Sequence, residues 1–122
     1  MVSAGLLARL RVQVERYMTQ RCDIEREEQI VDRFGAMVRS WRVMASGVRC
    51  RVILERRTGT QAAEIGSQEG LREMYRLVVP VGTGLGIAQR VRIGSDVYEI
   101  VSVQAMHADA MDEQAAIIKV SE

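Results

Sequence analysis

The chain has 122 residues, of which 48% are hydrophobic and 27% are charged. This composition predicts one folded domain over residues 1–122 and excludes a disordered chain. Aromatic residues make up only 4%, too few for a platform that stacks the bases of single-stranded nucleic acid. Because no apolar run reaches 18 residues and the N-terminus lacks the order of a secretion signal, we expect a soluble protein with no membrane partner.

The charge is small overall but unevenly distributed along the chain. A formal net charge of +1 by itself predicts no strong attraction to nucleic acid. Residues 1–61 hold 12 Arg and 7 acidic residues, a balance of +5, whereas residues 62–122 hold 5 basic and 9 acidic residues, a balance of −4. This asymmetry suits head-to-tail contacts between identical copies, but it also arises by chance.

The N-terminal segment, residues 3–19, has the pattern of an amphipathic helix. Its apolar residues recur with i, i+3, i+4 spacing, and Ser3 is a suitable N-cap. The residues of this stripe are Leu6, Leu7, Leu10, Val14, Tyr17 and Met18. The stripe must be buried either on its own domain or on a partner, and the sequence leaves both open.

After the helix, the spacing of apolar residues changes to the two-residue period of strands. We expect a short strand at 21–26, a charged loop or turn at 25–33, and a second strand at 36–44. The Ser46–Gly47 pair is expected to form a turn before the clearest strand of the first half, 48–54, whose arginines point outward.

The next segment, residues 58–70, is a run of small and polar residues with Ile65 as its apolar anchor. Its length exceeds that of an ordinary hairpin loop, and long loops in small domains are often functional. A strand follows at 73–81, where Pro80 and the glycines after it end the pattern. We therefore expect one long loop between two strands.

The strongest local signal is a hairpin over residues 90–103, with a tight turn at Gly94–Ser95. A polar connection then leads to a last strand at 115–120. The expected fold is mainly β: a small β-barrel or sandwich of six to seven short antiparallel strands over residues 21–120, preceded by the helix.

Features that could carry chemistry lack the context that chemistry requires. The glycine-rich segment 82–86 does not match the GxGxxG spacing, and a strand, not a helix, is expected after it. His107 lies near Asp109 and Asp112, but dedicated metal sites bring several ligands together, so we expect solvated loop residues. The sequence thus predicts no nucleotide, cofactor or metal site.

The remaining candidates for catalysis are paired carboxylates and two cysteines. Glu27–Glu28 and Asp112–Glu113 are expected in charged turns, with no apolar pocket to raise a carboxyl pKa. Cys22 and Cys50 are too few for a disulfide framework, and we expect both to be reduced and partly buried. We therefore expect no enzymatic activity.

Arginine dominates the basic residues, supplying 16 of the 17. A group of six is expected on adjacent strands, where guanidinium groups could contact carboxylates or phosphates in bidentate fashion. The six are Arg39, Arg42, Arg49, Arg51, Arg56 and Arg57. We favour a solvated face or protein interface over contact with passing DNA, because the net charge is small.

Several segments, taken in chain order, carry a resemblance to a known family. They are the helix from residue 4 into segment 18–24, the strands at 48–52 and 75–80, and the end of the hairpin at 97–101. Together they resemble the head-closure, or head-to-tail stopper, proteins of long-tailed phages, especially those that infect actinobacteria. The resemblance covers nearly the whole chain and rests on the order of elements.

The resemblance implies a structural virion protein of the head-to-tail joint. Copies of such a barrel form a ring, usually twelvefold, between the portal or adaptor protein and the tail terminator protein. The ring retains packaged double-stranded DNA and supports tail docking. It is assembled in the host cytoplasm and stays in the neck of the virion. The alternatives are a tail terminator or other connector ring protein, and a small β-barrel nucleic-acid-binding module.

The resemblance also implies where contacts would form. The 58–70 loop would project toward neighbouring rings or the channel, and the N-terminal helix would dock on the adaptor. The candidate subunit or channel interface therefore adds Glu64, Ile65 and Glu69 to the six arginines. The candidate docking residues of the helix are Leu6, Leu10, Val14 and Tyr17.

Overall fold

The computed structural model describes residues 3–55 and 73–120. One helix and six strands make up this part of the chain. They are α1 (Ala4–Glu15), β1 (Gln20–Val31), β2 (Met37–Glu55), β3 (Met74–Val79), β4 (Gln89–Ile93), β5 (Asp96–Val103) and β6 (Glu113–Val120).

The six strands form a single antiparallel sheet that closes on itself as a barrel. The strand order is β1-β2-β3-β6-β5-β4, and pairing of β4 with β1 closes the ring. The barrel is uneven because β1 and β2 have 12 and 19 residues, whereas β4 has 5. The predicted mainly β fold with an N-terminal helix is confirmed, and of the two predicted architectures the barrel is the one that forms.

The barrel core is built almost entirely from aliphatic and sulfur-containing side chains, as the low aromatic content requires. Its buried members include Ile24, Leu77, Val79, Val91 and Ile117, and burying each such side chain stabilises the fold by about 1.5–3 kcal/mol. Two aromatic rings lie at one side of this core. They are Tyr75 and Tyr98, which meet edge to face with their ring centroids 5.5 Å apart.

The two cysteines lie side by side in this core. Cys22 and Cys50 are both buried, which is a greater degree of burial than predicted. A hydrogen bond with the Cys50 side chain, together with burial, raises the pKa of the Cys22 thiol. Both residues therefore act as small apolar groups of the core.

The first half of the chain differs from the sequence prediction in two places. Residues 25–33, predicted as a loop or turn, instead continue β1 through Val31. The predicted turn at Ser46–Gly47 is a bulge inside one strand, so that 36–44 and 48–54 both belong to β2. The first error arises because β1 and β2 extend beyond the barrel, where their charged residues remain solvated. The second arises because a bulge takes the same Ser–Gly pair that a turn favours.

A carboxylate holds the bulge in place. Asp23 accepts a hydrogen bond from the Ser46 hydroxyl at 2.9 Å and another from the Gly47 N–H at 3.0 Å. These bonds hold the pKa of Asp23 below its usual value, with the Gly47 N–H as the largest contribution. Gly47 has a φ of +65°, a conformation that side-chain-bearing residues rarely adopt.

The other predicted elements lie close to their expected positions. Ser3 caps α1 and accepts a hydrogen bond from the Leu6 N–H at 3.2 Å, but the helix ends at Glu15 rather than near residue 19. The 90–103 hairpin is confirmed as β4 and β5. The predicted projecting loop at 58–70 lies outside the described residues. Within the described ranges, no helix has both the length and the apolar character to cross a bilayer.

Candidate assembly interface

The β1–β2 ribbon projects from the barrel as a two-stranded arm, which we define as residues 28–40. β1 pairs with β4 only over Asp23–Arg26, and β2 pairs with β3 only over Arg51–Glu55. Beyond these registers, residues 28–31 pair with residues 37–40 and with no other described strand. Four paired residues extend about 13 Å, and an isolated pair of strands is only marginally stable in water.

The tip of the arm is a turn built around one carboxylate. Asp32 Oδ1 accepts hydrogen bonds from the N–H groups of Phe34 at 2.8 Å and Ala36 at 3.0 Å. The Asp32 N–H in turn donates to the Ala36 carbonyl at 2.9 Å, and Gly35 has a φ of +82°. Asp32 therefore fixes the loop locally and holds Phe34 outward at the apex.

The arm is rich in apolar side chains that the described chain leaves exposed. Phe34 is 87% exposed, which is the highest value among the large exposed hydrophobic residues of the described part. It is accompanied by Ile30, Val31, Met37 and Val38, all at least 40% exposed. Grouped apolar side chains of this kind mark surfaces that contact a partner.

At the base of the arm, one face carries a network of charge and aromatic contacts. Arg90 lies with its guanidinium carbon 4.3 Å from the ring centroid of Trp41 and forms an ion pair with Glu25, which is buried. Arg39 also stacks on Trp41, at 5.3 Å, and pairs with Glu27 at 2.9 Å. This network joins the arm to β4 of the barrel.

The predicted arginine cluster is divided between two faces. Ala45 and Val48 both pack against the core, so the bulge between them shifts the alternation of β2 by one residue. A second register shift, between Ile24 and Glu25, restores the alternation. Arg39 therefore lies with Trp41 on the outer face that Arg49 and Arg51 share, whereas Arg42, which pairs with Arg26, lies on the opposite face. The prediction that these four described arginines lie on adjacent strands was wrong, because they lie along β2 over roughly 40 Å.

The remaining interface candidates from the sequence fall outside the described residues. They are Arg56, Arg57, Glu64, Ile65 and Glu69. Their proposed role in a subunit or channel contact stays a prediction.

Helix α1 leaves its predicted docking stripe partly uncovered. It contains no buried residue, and Leu6 and Tyr17 are exposed while Leu10 and Val14 are half-buried. Arg11 fastens the helix to the β5–β6 connection, since its side chain donates to the Ala110 carbonyl at 2.8 Å and the Ala108 carbonyl at 3.2 Å. The C-terminal end of the stripe thus packs on its own chain at Met18, which is buried, and burial of the exposed part on a partner stays a prediction.

A groove of about 290 Å³ lies where the C-terminal end of α1 approaches the barrel. Its lining is mainly apolar, and three charged side chains lie among the lining residues. These residues are Val14, Tyr17, Met18, Arg51, Ile53, Arg76, Val78, Asp112 and Gln114. The groove brings together residues from α1, β2, β3 and β6, which the sequence alone could not place side by side.

The glycine-rich segment has a structural role that sequence reasoning missed. Glu113 is buried and accepts hydrogen bonds from the N–H groups of Gly82, Gly84 and Leu85 at 2.7–3.1 Å. These donors are therefore occupied by the protein's own carboxylate. The expectation that Glu113 lies in a charged turn was wrong, because β6 begins at this residue.

No group of three or more potential metal ligands occurs in the described ranges 3–55 and 73–120. His107 is exposed in the connection before β6.

Comparison with known proteins identifies the family. A model described as a family of unknown function, DUF6093, matches residues 10–119. The chain belongs to this family. No curated protein shows a significant sequence match.

Two solved structures share similarity with the fold. One is the phage-like element PBSX protein XkdH of Bacillus subtilis, with 15% identity, a TM-score of 0.48, and coverage of 82% of this chain and 92% of that chain. The other is a chain from the virion of a native gene transfer agent particle, with 19% identity, a TM-score of 0.51, and coverage of 81% of this chain and 91% of that chain. The similarity to the gene transfer agent chain shows a shared fold.

Proposed function

We propose that this protein is a structural component of the virion of a tailed phage or phage-derived particle. The observation that carries the proposal is the shared fold with a chain of the gene transfer agent virion, over 81% of the present chain. The exposed arm and helix add support, because a protein that works as one copy in an assembly needs uncovered apolar surfaces on its isolated subunit.

Within the particle, we place the protein in the head-to-tail joint, as a ring between the portal or adaptor protein and the tail terminator protein. A ring of identical copies requires two different contact surfaces on each subunit, and the arm and the α1 groove are two such surfaces. The exposed N-terminal part of the α1 stripe, with Leu6, is the surface proposed to dock on the adaptor. The ring would retain packaged DNA and provide the docking site for a tail.

A second candidate function is binding of double-stranded nucleic acid. It is favoured by the exposed arginines Arg42, Arg49 and Arg51 of β2. A duplex-binding module should bind free DNA as an isolated protein, with an affinity that falls steeply as salt rises. A joint protein should show little affinity for free duplex before assembly, so a salt titration with a DNA fragment separates the two functions.

The virion role is tested by deleting the gene in the producing phage or element and imaging the products by negative-stain microscopy. The proposal predicts empty or DNA-leaking heads together with free tails of normal form. Restoring the gene in trans is the matched control and should restore joined particles. Normal, infectious particles from the deletion strain would contradict the proposal.

A further inference from the structure

The tip of the arm combines a rigid turn with an apolar side chain that has no packing partner in the described chain. Asp32 Oδ1 fixes the loop through the N–H groups of Phe34 and Ala36, and Phe34 is 87% exposed. An aromatic side chain has only two χ angles to fix on binding, so on a fixed backbone it is an effective anchor of a protein interface. The turn therefore presents Phe34 as a preorganised knob.

The groove beside α1 has the chemistry of the complementary hole. Val14, Met18, Ile53 and Val78 contribute apolar lining, and Tyr17, at 71% exposed, contributes a ring. The groove is open and has a volume of about 290 Å³. It lies on the helix side of the barrel, and the knob lies at the end of the arm, so the two surfaces are at separate places on the chain.

The charges around both surfaces favour a second copy of this chain as the occupant. Beside Phe34, the tip carries Asp32 and Arg33, one acidic and one basic side chain. Around the groove, the charged residues are Asp112, Arg51 and Arg76, of which Arg76 pairs with Glu55 of the same chain. Arg33 of the tip therefore meets an opposite charge in Asp112, and Asp32 meets one in Arg51, which allows complementary contacts around an apolar centre.

We propose that the arm of one copy inserts Phe34 into the α1 groove of a second copy. Because knob and groove are different surfaces, the contact is heterologous, and repeating it generates a closed ring or an open chain of subunits. The inference rests on the proposed function for its biological setting, where it supplies the subunit contact of the ring. The contact itself is a property of the isolated protein.

Directed disulfide cross-linking tests this geometry. The double variant R33C with D112C places one thiol beside the knob and one at the rim of the groove, and it leaves Phe34 unchanged. Under mild oxidation we expect a ladder of dimers, trimers and larger species. The native Cys22 and Cys50 are buried and remain in every variant.

The single variants serve as controls for the direction of the contact. R33C alone and D112C alone should stay monomeric, whereas a mixture of the two should give dimers only. Dimers from R33C alone would show a symmetric tip-to-tip contact and would overturn the proposal. Absence of cross-links in the double variant at protein concentrations up to about 1 mM would also overturn it.

Sedimentation velocity tests the contribution of Phe34 itself. F34D should weaken self-association by at least about 30-fold, because a charged group replaces the anchor of the contact. I87D is the matched control, since Ile87 is 70% exposed but lies in the β3–β4 connection. Equal effects of F34D and I87D would contradict the proposal.

The two proposals fail in distinguishable ways. A protein that self-associates through the arm but is absent from purified particles would refute the virion role and keep the contact. A protein that is present in particles but monomeric and not cross-linked in the double variant would refute the contact and keep the virion role.

Discussion

The guanidinium of Arg90 lies over the Trp41 ring, 4.3 Å from its centroid. Arg90 belongs to β4 and Trp41 to the outer part of β2, so this contact joins the barrel to the base of the arm. The same guanidinium forms an ion pair with the buried Glu25. Arg90 therefore pairs with a buried carboxylate and stacks on an aromatic ring at the same time. These two contacts hold the base of the arm against the barrel.

R90A is expected to lower the free energy of unfolding by about 2–4 kcal/mol, because it removes the nearer cation from the buried Glu25 and leaves the more distant Arg92, 3.6 Å away. R39A is the matched control. It breaks the pair with Glu27, but the Arg39 side chain is 63% exposed, whereas that of Arg90 is 19% exposed. R39A should therefore cost less than about 1 kcal/mol. Urea denaturation measures the free energy of unfolding of both variants. A larger loss in R39A than in R90A would contradict the role assigned to Arg90.

E113Q is expected to destabilise the protein by about 1–3 kcal/mol. The substitution replaces a carboxylate that accepts three backbone N–H groups of the β3–β4 connection by an amide with a single acceptor oxygen. D112N, at the neighbouring position, should have a smaller effect, since Asp112 accepts a hydrogen bond only from Gln114 among the described residues. Thermal unfolding should give a lower melting temperature for E113Q than for D112N. The opposite order would show that Glu113 does not hold the connection.

Asp23 should give the protein a pH-dependent component of stability. The Gly47 N–H and the Ser46 hydroxyl lower the pKa of Asp23 below its ordinary value of 3.8. A carboxyl with a depressed pKa in the folded state stabilises the fold above the unfolded-state value, and this contribution disappears as pH falls through the folded-state pKa. The stability difference between wild type and D23N should therefore be largest near pH 6 and shrink below pH of about 4.

The Asp23 prediction is checked by urea denaturation at a series of pH values. S46A removes one of the two hydrogen-bond donors to Asp23. It should therefore reduce, without abolishing, the pH dependence of stability. A difference between wild type and D23N that stays constant from pH 6 to pH of about 2.5 would show that Asp23 does not titrate with a depressed pKa.

Two glycine substitutions should act in opposite directions. G47A is expected to cost about 1 kcal/mol, because alanine must adopt the φ of +65° in the bulge. G5A should stabilise by up to about 1 kcal/mol, since Gly5 lies in helix α1 and an added Cβ would meet no atom within 4 Å. Similar changes in melting temperature for both variants would contradict the assigned backbone conformations.

Local patterns in the sequence predict much of this fold. The helical spacing, the N-cap at Ser3, the hairpin around Gly94–Ser95 and the strand ended by Pro80 each depend on neighbouring residues, and each is present in the structure. These signals narrow the architecture to a barrel or a sandwich, because a row of short strands must close or stack to bury its apolar face, and the structure decides for the barrel.

The features that prediction missed depend on contacts between distant parts of the chain. Charged residues 25–31 resemble a loop until Glu25 is paired with Arg90, which lies 65 positions away. Glu113 resembles a turn residue until its carboxylate meets the N–H groups of segment 82–85, about 30 positions away. The arginines predicted on adjacent strands lie along one strand, because the segment that resembles a turn in sequence is a bulge within β2. None of these partners can be recognised from spacing alone.

The most direct test of the virion role is to locate the protein in intact particles. A gold label attached to an epitope-tagged copy of the chain, viewed by electron microscopy, reports its position on DNA-filled particles. The account predicts label at the single point where head and tail meet. Label along the tail, over the whole capsid surface, or on no particle at all would contradict it.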